Sequence, residues 1–309
     1  MKRKLLAACA TTLCLAAAPN MARAVDIGVS MALFDDNFLT NVREALKAHA
    51  ESMQDVNVQF EDAQADIGKQ ISQVQNFAAQ GMDAIIVNVA DTSATQAITQ
   101  MVSQAGIPLV YLNRAPDEEQ LPEKVVVVAS DDLVAGRLEM EALAECMGKK
   151  GNVAIMLGEL ASNATRGRTT GTKEVIAKYP DIKVVQEQVA DFQRSKAIDL
   201  MTNWITMGEE INAVAANNDE MAIGAILAMQ QAGTSPDQIC VGGVDATADA
   251  LDYMEQGLLD VTVFQDAKGQ GRGALDAALK LAKGEKVEQY TMIPYELVTP
   301  KNMAEFRNR

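Results

Sequence analysis

The chain alternates short, continuous apolar runs with longer segments in which apolar residues recur every three or four positions. The runs, such as residues 84–89 and 125–129, are typical of strands that are buried on both faces. The longer segments, such as residues 66–80 and 220–231, have the period of amphipathic helices. Regular alternation of the two predicts an α/β protein with parallel sheets and right-handed crossovers.

The alternation runs through the chain twice. The first series predicts strands at 26–31, 57–60, 84–89, 109–112 and 125–129, with helices at 39–51, 66–80 and 93–105. The second predicts strands at 152–157, 183–188, 213–216, 239–244 and 261–264, with helices at 133–147, 168–178, 195–207, 220–231 and 247–256. A last helix at 273–282 and strand at 289–293 must return to one of the two series. We therefore predict two lobes, several chain crossings between them, and a ligand cleft where they face each other.

The first 24 residues have the pattern of a secretory signal peptide. Basic residues 2–4 precede an apolar stretch at 5–18, and Ala22-Arg23-Ala24 has the form of a cleavage site. The apolar stretch is too short to span a bilayer, and no later segment approaches the roughly 20 residues that a span requires. The sequence thus predicts export, with residues 1–24 removed.

The charge of the chain argues against one class of function, and its cysteines leave two structural alternatives. The formal net charge is -15, and without the first 24 residues 23 basic residues face 42 acidic ones, a balance of -19. Such a surface repels phosphate backbones and anionic lipids, which argues against nucleic-acid binding. The mature chain keeps Cys146 and Cys240, for which one disulfide and two buried free thiols both remain open. The single histidine, His49, is interpreted as a surface residue of a helix.

Polar side chains follow almost every predicted strand. With two aromatic residues, they form the set Asp36, Phe38, Asn88, Asn113, Arg114, Arg166, Arg168, Phe192, Asn218, Asp245 and Gln265. Each alone has an ordinary role in a turn, a cap or the core. Because the carboxyl ends of parallel strands meet at one sheet edge, the set predicts a common site. Amides, carboxylates, guanidinium groups and rings together suit a polyhydroxylated ligand, whose hydroxyls donate and accept while its C–H faces stack.

The stretch at residues 213–225 shows such a strand-to-helix turn. A buried-type strand stops at Asn217, Asn218 and Asp219 and is followed by a helical period. We expect Asp219 to cap the helix, which would leave Asn218 the freest of the three to meet a ligand.

An enzyme is the rival class. Residues 269–273 read Gly-Gln-Gly-Arg-Gly, which lacks the G-x-G-x-x-G spacing of a dinucleotide loop. The sequence contains no P-loop, no G-x-S-x-G motif and no metal-spaced His/Cys group, so we predict neither a cofactor nor a metal nor catalysis. Glycoside chemistry by a carboxylate pair, Asp36 with Asp245, is the catalytic alternative.

Several motifs resemble the periplasmic sugar-binding proteins of the ribose/galactose type, over nearly the whole mature chain. They are residues 218–225 (NDEMAIGA), 190–194 (ADFQR), 241–245 (VGGVD), 129–132 (ASDD) and 106–108 (GIP) with Asn113-Arg114. The resemblance implies a type I periplasmic binding protein: two Rossmann-like lobes with parallel sheets, joined by a three-strand hinge. It implies lobe boundaries of 25–130 plus 266–296 and 131–265 plus 297–309, with hinge positions near 130–131, 265–266 and 297–298.

The same resemblance implies location, partners and mechanism. A sugar would be clamped between the lobes in the periplasm and delivered by a monomeric protein to an ABC permease in the inner membrane. A sensory role, in which the closed form docks on a chemoreceptor or sensor kinase, is the alternative.

The resemblance also implies the ligand contacts. Phe38, Asn88, Asn113 and Arg114 would come from the first lobe, Arg166, Phe192, Asn218 and Asp245 from the second, and Gln265 from a crossing. The ribose-type Asn-Pro-Phe-Phe turn reads Asp36-Asn37-Phe38-Leu39 here, so a ring is lost and an acid gained. The stretch 297–303 resembles members that take myo-inositol. We therefore expect a cyclic polyol such as myo-inositol rather than ribose, or an amino derivative whose ammonium would pair with Asp36.

Overall fold

A computed structural model describes residues 23–118, 120–234 and 238–309. All but the last two residues of the predicted signal peptide lie outside this part of the chain. Among the described residues, none of the helices is both long and apolar enough to cross a membrane.

The strands end close to the predicted positions, because continuous apolar runs mark them clearly. In chain order they are β1 (Val25–Met31), β2 (Val56–Asp62), β3 (Ala84–Val87), β4 (Leu109–Asn113), β5 (Val125–Ala129), β6 (Gly151–Leu157), β7 (Ile182–Val189), β8 (Ala213–Ala216), β9 (Cys240–Gly242), β10 (Thr262–Phe264), β11 (Tyr290–Met292) and β12 (Glu296–Val298). β12 was not predicted, and it contains the pair 297–298 that was expected to be a hinge position.

The helices alternate with the strands as expected. In chain order they are α1 (Asn37–Glu51), α2 (Ile67–Gln80), α3 (Thr95–Gln104), α4 (Asp132–Cys146), α5 (Asn163–Ile176), α6 (Arg194–Thr206), α7 (Asp219–Ala232), α8 (Ala248–Glu255) and α9 (Ala267–Ala282). The starts of α5 and α9 were predicted at residues 168 and 273, five and six residues too late. Ser162 and Asp266 cap these helices at their real starts.

Two parallel sheets form the framework. The first has the order β11-β5-β4-β3-β1-β2, and the second has the order β7-β6-β8-β9. Every pairing within these two sheets is parallel, as predicted. β10 and β12 pair antiparallel, and isolated bridges from Gly242 to Val261 and from Asp245 to Phe264 continue the second sheet toward β10.

We call the first sheet with α1, α2, α3 and α9 the first lobe, and the remaining elements up to β12 the second lobe. Separate apolar clusters cover the faces of each sheet, so each lobe has its own core. The chain passes between the lobes three times, at residues 130–131, 265–266 and 293–295. These three crossings place the carboxyl ends of both sheets on either side of one cleft.

Cys146 and Cys240 form a disulfide, which settles the alternative that the sequence left open. The bond joins the end of α4 to the start of β9 across 94 residues, entirely within the second lobe.

Candidate functional site

A cleft lies between the lobes, with about 330 Å³ of empty space when the open solvent at its mouth is included. It is lined by Asp36, Phe38, Leu39, Asn113, Arg114, Ser162, Ala164, Arg168, Phe192, Asn218, Asp245 and Gln265. Eight of the ten residues in the predicted site are therefore brought together. The other two, Asn88 and Arg166, do not line the cleft. Arg168 lines it instead, on the helix that also contains Arg166.

The start of α1 brings an acid and a ring into the cleft. Asp36 is the N-cap of this helix, and its Oδ1 accepts the Leu39 N–H at 2.7 Å. Phe38, in the first turn, is almost fully buried. Burial raises the pKa of the Asp36 carboxyl, although the Leu39 amide and the Arg114 charge act in the opposite direction. Among the described residues, no basic side chain lies within ion-pair distance of Asp36, so this cleft-lining carboxyl group has no cationic partner.

The end of β4 supplies an amide and a guanidinium group. Asn113 has a positive φ of 68°, a conformation that costs a non-glycine residue about 1–3 kcal/mol and is concentrated at functional sites. Asn88 lies behind it, fully buried, and donates from Nδ2 to the Asn113 Oδ1 at 3.3 Å. The structure thus gives Asn88 a position from which it orients Asn113. Arg114 donates from Nη1 to the carbonyls of Val89 and Ala90.

Arg168 is the buried cation of the second lobe. Its guanidinium donates to Asp132 Oδ1 at 3.1 Å, to the Asn217 carbonyl at 2.6 Å, and to Gln265 Oε1 at 2.9 Å. It also donates to the Tyr295 hydroxyl at 3.0 Å. Four acceptors from separate segments fix the group rigidly at the floor of the cleft.

Arg166 points elsewhere. It is two residues from Arg168, and a helix turns by about 200° over that interval, so the two side chains leave α5 on different faces. Arg166 pairs with Asp117 and is about half exposed.

Asp245 faces the cleft after β9, with a positive φ of 123°. Its Oδ1 lies 3.7 Å from Arg168 Nη1. Burial raises the pKa of Asp245 well above its usual value, and the negative charges of Asp219, Asp36 and Asp132 raise it further, while Arg168 lowers it. Two carboxyl groups of raised pKa, Asp36 and Asp245, therefore line the same cleft.

The turn after β8 differs from the prediction. Asn218, not Asp219, is the N-cap of α7, and its Oδ1 accepts the Met221 N–H at 3.0 Å. Its Nδ2 group donates to the Phe192 carbonyl at 3.3 Å. Asp219 is fully buried instead, and it accepts from the Thr262 hydroxyl at 2.6 Å. Asn218 still lines the cleft, but it does so while capping the helix.

Phe192 forms an aromatic wall of the second lobe. It also has a positive φ, 59°. A Cβ at Gly158 would stand 2.1 Å from its ring, so only glycine at the end of β6 leaves room for this aromatic side chain.

Four lining residues were outside the predicted set. Leu39, Ser162 and Ala164 lie at helix starts, and Arg168 appeared only among the broader set of polar residues. The Ser162 hydroxyl, which accepts the Ala164 N–H, could have been found as a capping residue followed by a helical period. Nothing in the apolar pattern singles out Leu39 or Ala164.

A larger groove, with about 1120 Å³ of empty space including open solvent, adjoins the cleft and shares Phe38, Asp245 and Gln265 with it. It lies between α1, α8, α9 and the C-terminal residues. We place the candidate site in the smaller cleft, because that is where buried polar groups from both lobes converge.

The cleft offers contacts that suit a polar ring. Phe38 and Phe192 offer stacking faces, Arg114 and Arg168 offer donors, and the carboxyl group of Asp245 offers acceptors. His49, by contrast, contacts Asp276 at 2.8 Å and is not among the cleft-lining residues.

Comparison with known proteins agrees with this geometry. Residues 27–286 match the family model described as a periplasmic binding protein domain. A putative rhizopine-binding protein from Rhizobium meliloti is 50% identical over 291 residues, which are 93% of this chain and 94% of that protein. The ribose import binding protein RbsB of Bacillus subtilis is 32% identical over 275 residues, 89% of this chain and 87% of that one.

A solved structure is also similar. An ABC transporter solute binding protein from Bacillus halodurans with bound myo-inositol superposes with a TM-score of 0.89 at 45% sequence identity. The match covers 93% of this chain and 98% of that one. The predicted fold class is thus confirmed, and the matched relatives are binding proteins. The chain belongs to the periplasmic binding protein family.

Proposed function

We propose that this protein captures a cyclic polyol of the myo-inositol type in the cleft between its lobes. Polar side chains of both lobes converge on one space with two aromatic walls, and this observation carries the proposal. The similar protein from Bacillus halodurans with bound myo-inositol supports the ligand class. A charge-assisted hydrogen bond makes a net contribution of about 1.5–3 kcal/mol. Three or four such bonds with a stacked ring therefore reach the roughly 8 kcal/mol of micromolar binding.

Asp36 points to an amino derivative of such a polyol as the preferred ligand. The Asp36 side chain is a cleft-lining carboxyl group without a basic partner among the described residues. An ammonium substituent on the ligand would supply the positive charge that the protein does not place beside it. The formal charge of -15 also attracts cations to the protein as a whole.

Closure of the lobes completes the function. Because each lobe contributes part of the contacts, a ligand binds the closed form more tightly than the open form and shifts the population toward it. The three crossings serve as the hinge, and an ABC permease receives the ligand from the closed protein. We propose a periplasmic location after removal of residues 1–24.

The Asp36→Asn variant tests the ligand class in calorimetric titrations with myo-inositol, an inosamine, D-ribose and D-galactose. We expect the wild type to bind one of the two inositol-type ligands tightest. In the variant, the inosamine should bind at least about tenfold more weakly, since a buried charged partner is lost. Binding of neutral myo-inositol should change less than about threefold, because asparagine caps a helix as well as aspartate does.

Two results would contradict the proposal. If the wild type binds D-ribose most tightly, the ligand is not of the inositol type. If the Asp36→Asn variant binds the inosamine as tightly as the wild type does, Asp36 does not pair with the ammonium group. Proton NMR of each ligand after incubation addresses the catalytic alternative with Asp36 and Asp245. Recovery of unchanged ligand is expected.

A further inference from the structure

One rim of the cleft is held by direct contacts between the lobes. The Thr92 N–H, from the turn after β3, donates to the Ala161 carbonyl in the loop after β6 at 3.1 Å. The Thr92 hydroxyl donates to the same carbonyl at 3.0 Å. These bonds join the two lobes outside the three crossings.

Two ion pairs flank this junction, and each lobe contributes one arginine and one acid. Arg114 of the first lobe donates from Nη2 to Glu159 Oε2 of the second at 2.8 Å. Arg166 of the second lobe donates to both oxygens of Asp117 of the first, at 2.8 and 3.0 Å. We call these two ion pairs and the Thr92–Ala161 bonds the clasp.

The two ion pairs differ in burial, which decides their strength. The Arg114 and Glu159 side chains are 7% and 24% exposed, whereas those of Arg166 and Asp117 are 46% and 72% exposed. Exposed pairs are screened by water and salt and contribute little, while partly buried ones retain more of their attraction. Glu159 should therefore matter more than Asp117.

The buried pair also involves a residue that lines the cleft. Arg114 is anchored on its own lobe by the Val89 and Ala90 carbonyls, which take up donors of Nη1. Glu159 then holds Nη2 from the opposite lobe. With both ends fixed, the remaining N–H groups of the guanidinium have a defined direction. Separation of the lobes would remove Glu159 and leave the guanidinium held from one side only.

We propose that Glu159 is a positioning residue that orients Arg114 upon closure, and that the clasp stabilises the closed form independently of the ligand. Arg166 acts in the clasp rather than as a ligand contact. The proposal rests on the closing cleft of the proposed function, but not on the identity of its ligand.

Ligand-free cross-linking tests the clasp directly. The Thr92 N–H bonds to the Ala161 carbonyl at 3.1 Å, so the two backbones are in direct contact and cysteines at these positions can meet when the lobes are closed. A Thr92→Cys/Ala161→Cys parent keeps both ion pairs of the clasp but lacks the Thr92 hydroxyl bond, and its rate of disulfide formation under oxidant follows the closed population. We expect Glu159→Gln to slow it at least fivefold and Asp117→Asn about twofold. The matched control, Glu187→Gln, removes an acid that pairs with Lys173 at 2.8 Å within the second lobe, and should leave the rate unchanged.

The outcomes separate the clasp from the ligand proposal. An unchanged cross-linking rate in Glu159→Gln, with an unchanged melting temperature, would overturn the clasp whatever the protein binds. Titrations of single-site Glu159→Gln with myo-inositol and D-ribose supply the second measurement. Equal weakening for both ligands supports a shift in closure, whereas wild-type affinity for both overturns it. Failure of the wild type to bind either ligand would count against the proposed function and leave the cross-linking result valid.

Discussion

At the scale of single residues, the second lobe contains several buried acids that share one buried arginine. Glu139, on α4, is the most isolated of them. Its Oε1 accepts the Ala216 N–H at 2.9 Å, and its Oε2 has no hydrogen-bond partner among the described residues. Burial raises its pKa to about 8, against the Ala216 amide and the Arg168 charge, which lower it. A carboxyl in this environment is held in its neutral form at neutral pH.

The raised pKa predicts a pH dependence of stability. The native state binds the Glu139 proton more tightly than the unfolded chain, so the free energy of unfolding falls as the pH rises from 4.5 to about 8. Glu139→Gln cannot titrate. Its stability relative to the wild type should therefore increase by at least ~1 kcal/mol between pH 5 and pH 8. Urea unfolding followed by fluorescence of the single tryptophan, Trp204, measures this difference.

Glu141→Gln is the control for this pH dependence. Glu141 lies on the same helix, is about half exposed, and pairs with Lys178 at 2.9 Å, so its removal should shift the curve by the same small amount at every pH. A constant difference between Glu139→Gln and the wild type across this range would show that Glu139 does not titrate there.

At the scale of elements, the strands were predictable and two helix starts were not. A buried parallel strand leaves a continuous apolar run such as Val125–Ala129, whereas the first turns of α9 contain Gly269, Gly271 and Gly273, which read as a loop. Gly271 is used for packing, since a Cβ there would lie 2.6 Å from the Val42 carbonyl of α1. Close helix contact therefore outweighs the low helix propensity of glycine.

The contrast between predictable strands and misplaced helix starts also explains which parts of the site could be predicted. Parallel topology alone gathers the residues after each strand at one edge, and eight of the ten proposed residues do line the cleft. Whether Arg166 or Arg168 faces the cleft depends on which side of α5 each occupies. A prediction that starts this helix five residues too late leaves Arg166 outside it and cannot decide between the two. The capping role of Asn218 depends on contacts of Asp219 with two residues distant in sequence, Thr247 and Thr262.

The disulfide between α4 and β9 gives a prediction at this scale. It closes a long loop, with a separation of 94 residues, and thereby restricts the unfolded chain. The Cys146→Ala/Cys240→Ala variant should lose about 2–4 kcal/mol in the free energy of unfolding, measured by urea and Trp204 fluorescence. Ligand affinity should stay within about twofold, since neither cysteine lines the cleft. An unchanged urea midpoint would contradict this role of the bond.

At the scale of the whole molecule, each crossing is bonded to the cleft. Next to the first crossing, the Ser130 hydroxyl accepts from Gln270, whose Oε1 accepts from Asn113. At the second, Gln265 accepts from Arg168. At the third, the Tyr295 hydroxyl accepts from Arg168. In the proposed closure, a ligand that fixes Asn113 or Arg168 would therefore also act on these three crossings, which would couple binding to closure.

Tyr295 offers the sharpest test of this coupling, because it does not line the cleft itself but its hydroxyl bonds to Arg168, which does. Its hydroxyl donates to Asp132 Oδ1 at 2.8 Å, and burial raises its pKa well above the usual value, so the proton stays in place. Tyr295→Phe removes one acceptor of Arg168 and the donor to a buried carboxylate. Affinity for the proposed polyol ligand should fall about five- to tenfold, equivalent to about 1–1.4 kcal/mol.

Tyr111→Phe is the matched control for this last prediction. Its hydroxyl donates to the Thr95 carbonyl at 2.8 Å inside the first lobe, equally buried and bonded to neither a crossing nor the cleft. Each variant loses the two hydrogen bonds of one buried hydroxyl and should lose similar stability, but only Tyr295→Phe should weaken binding in calorimetry. If the two variants bind with the same affinity, the third crossing merely connects the lobes, and coupling would have to run through Gln265 and Ser130 alone.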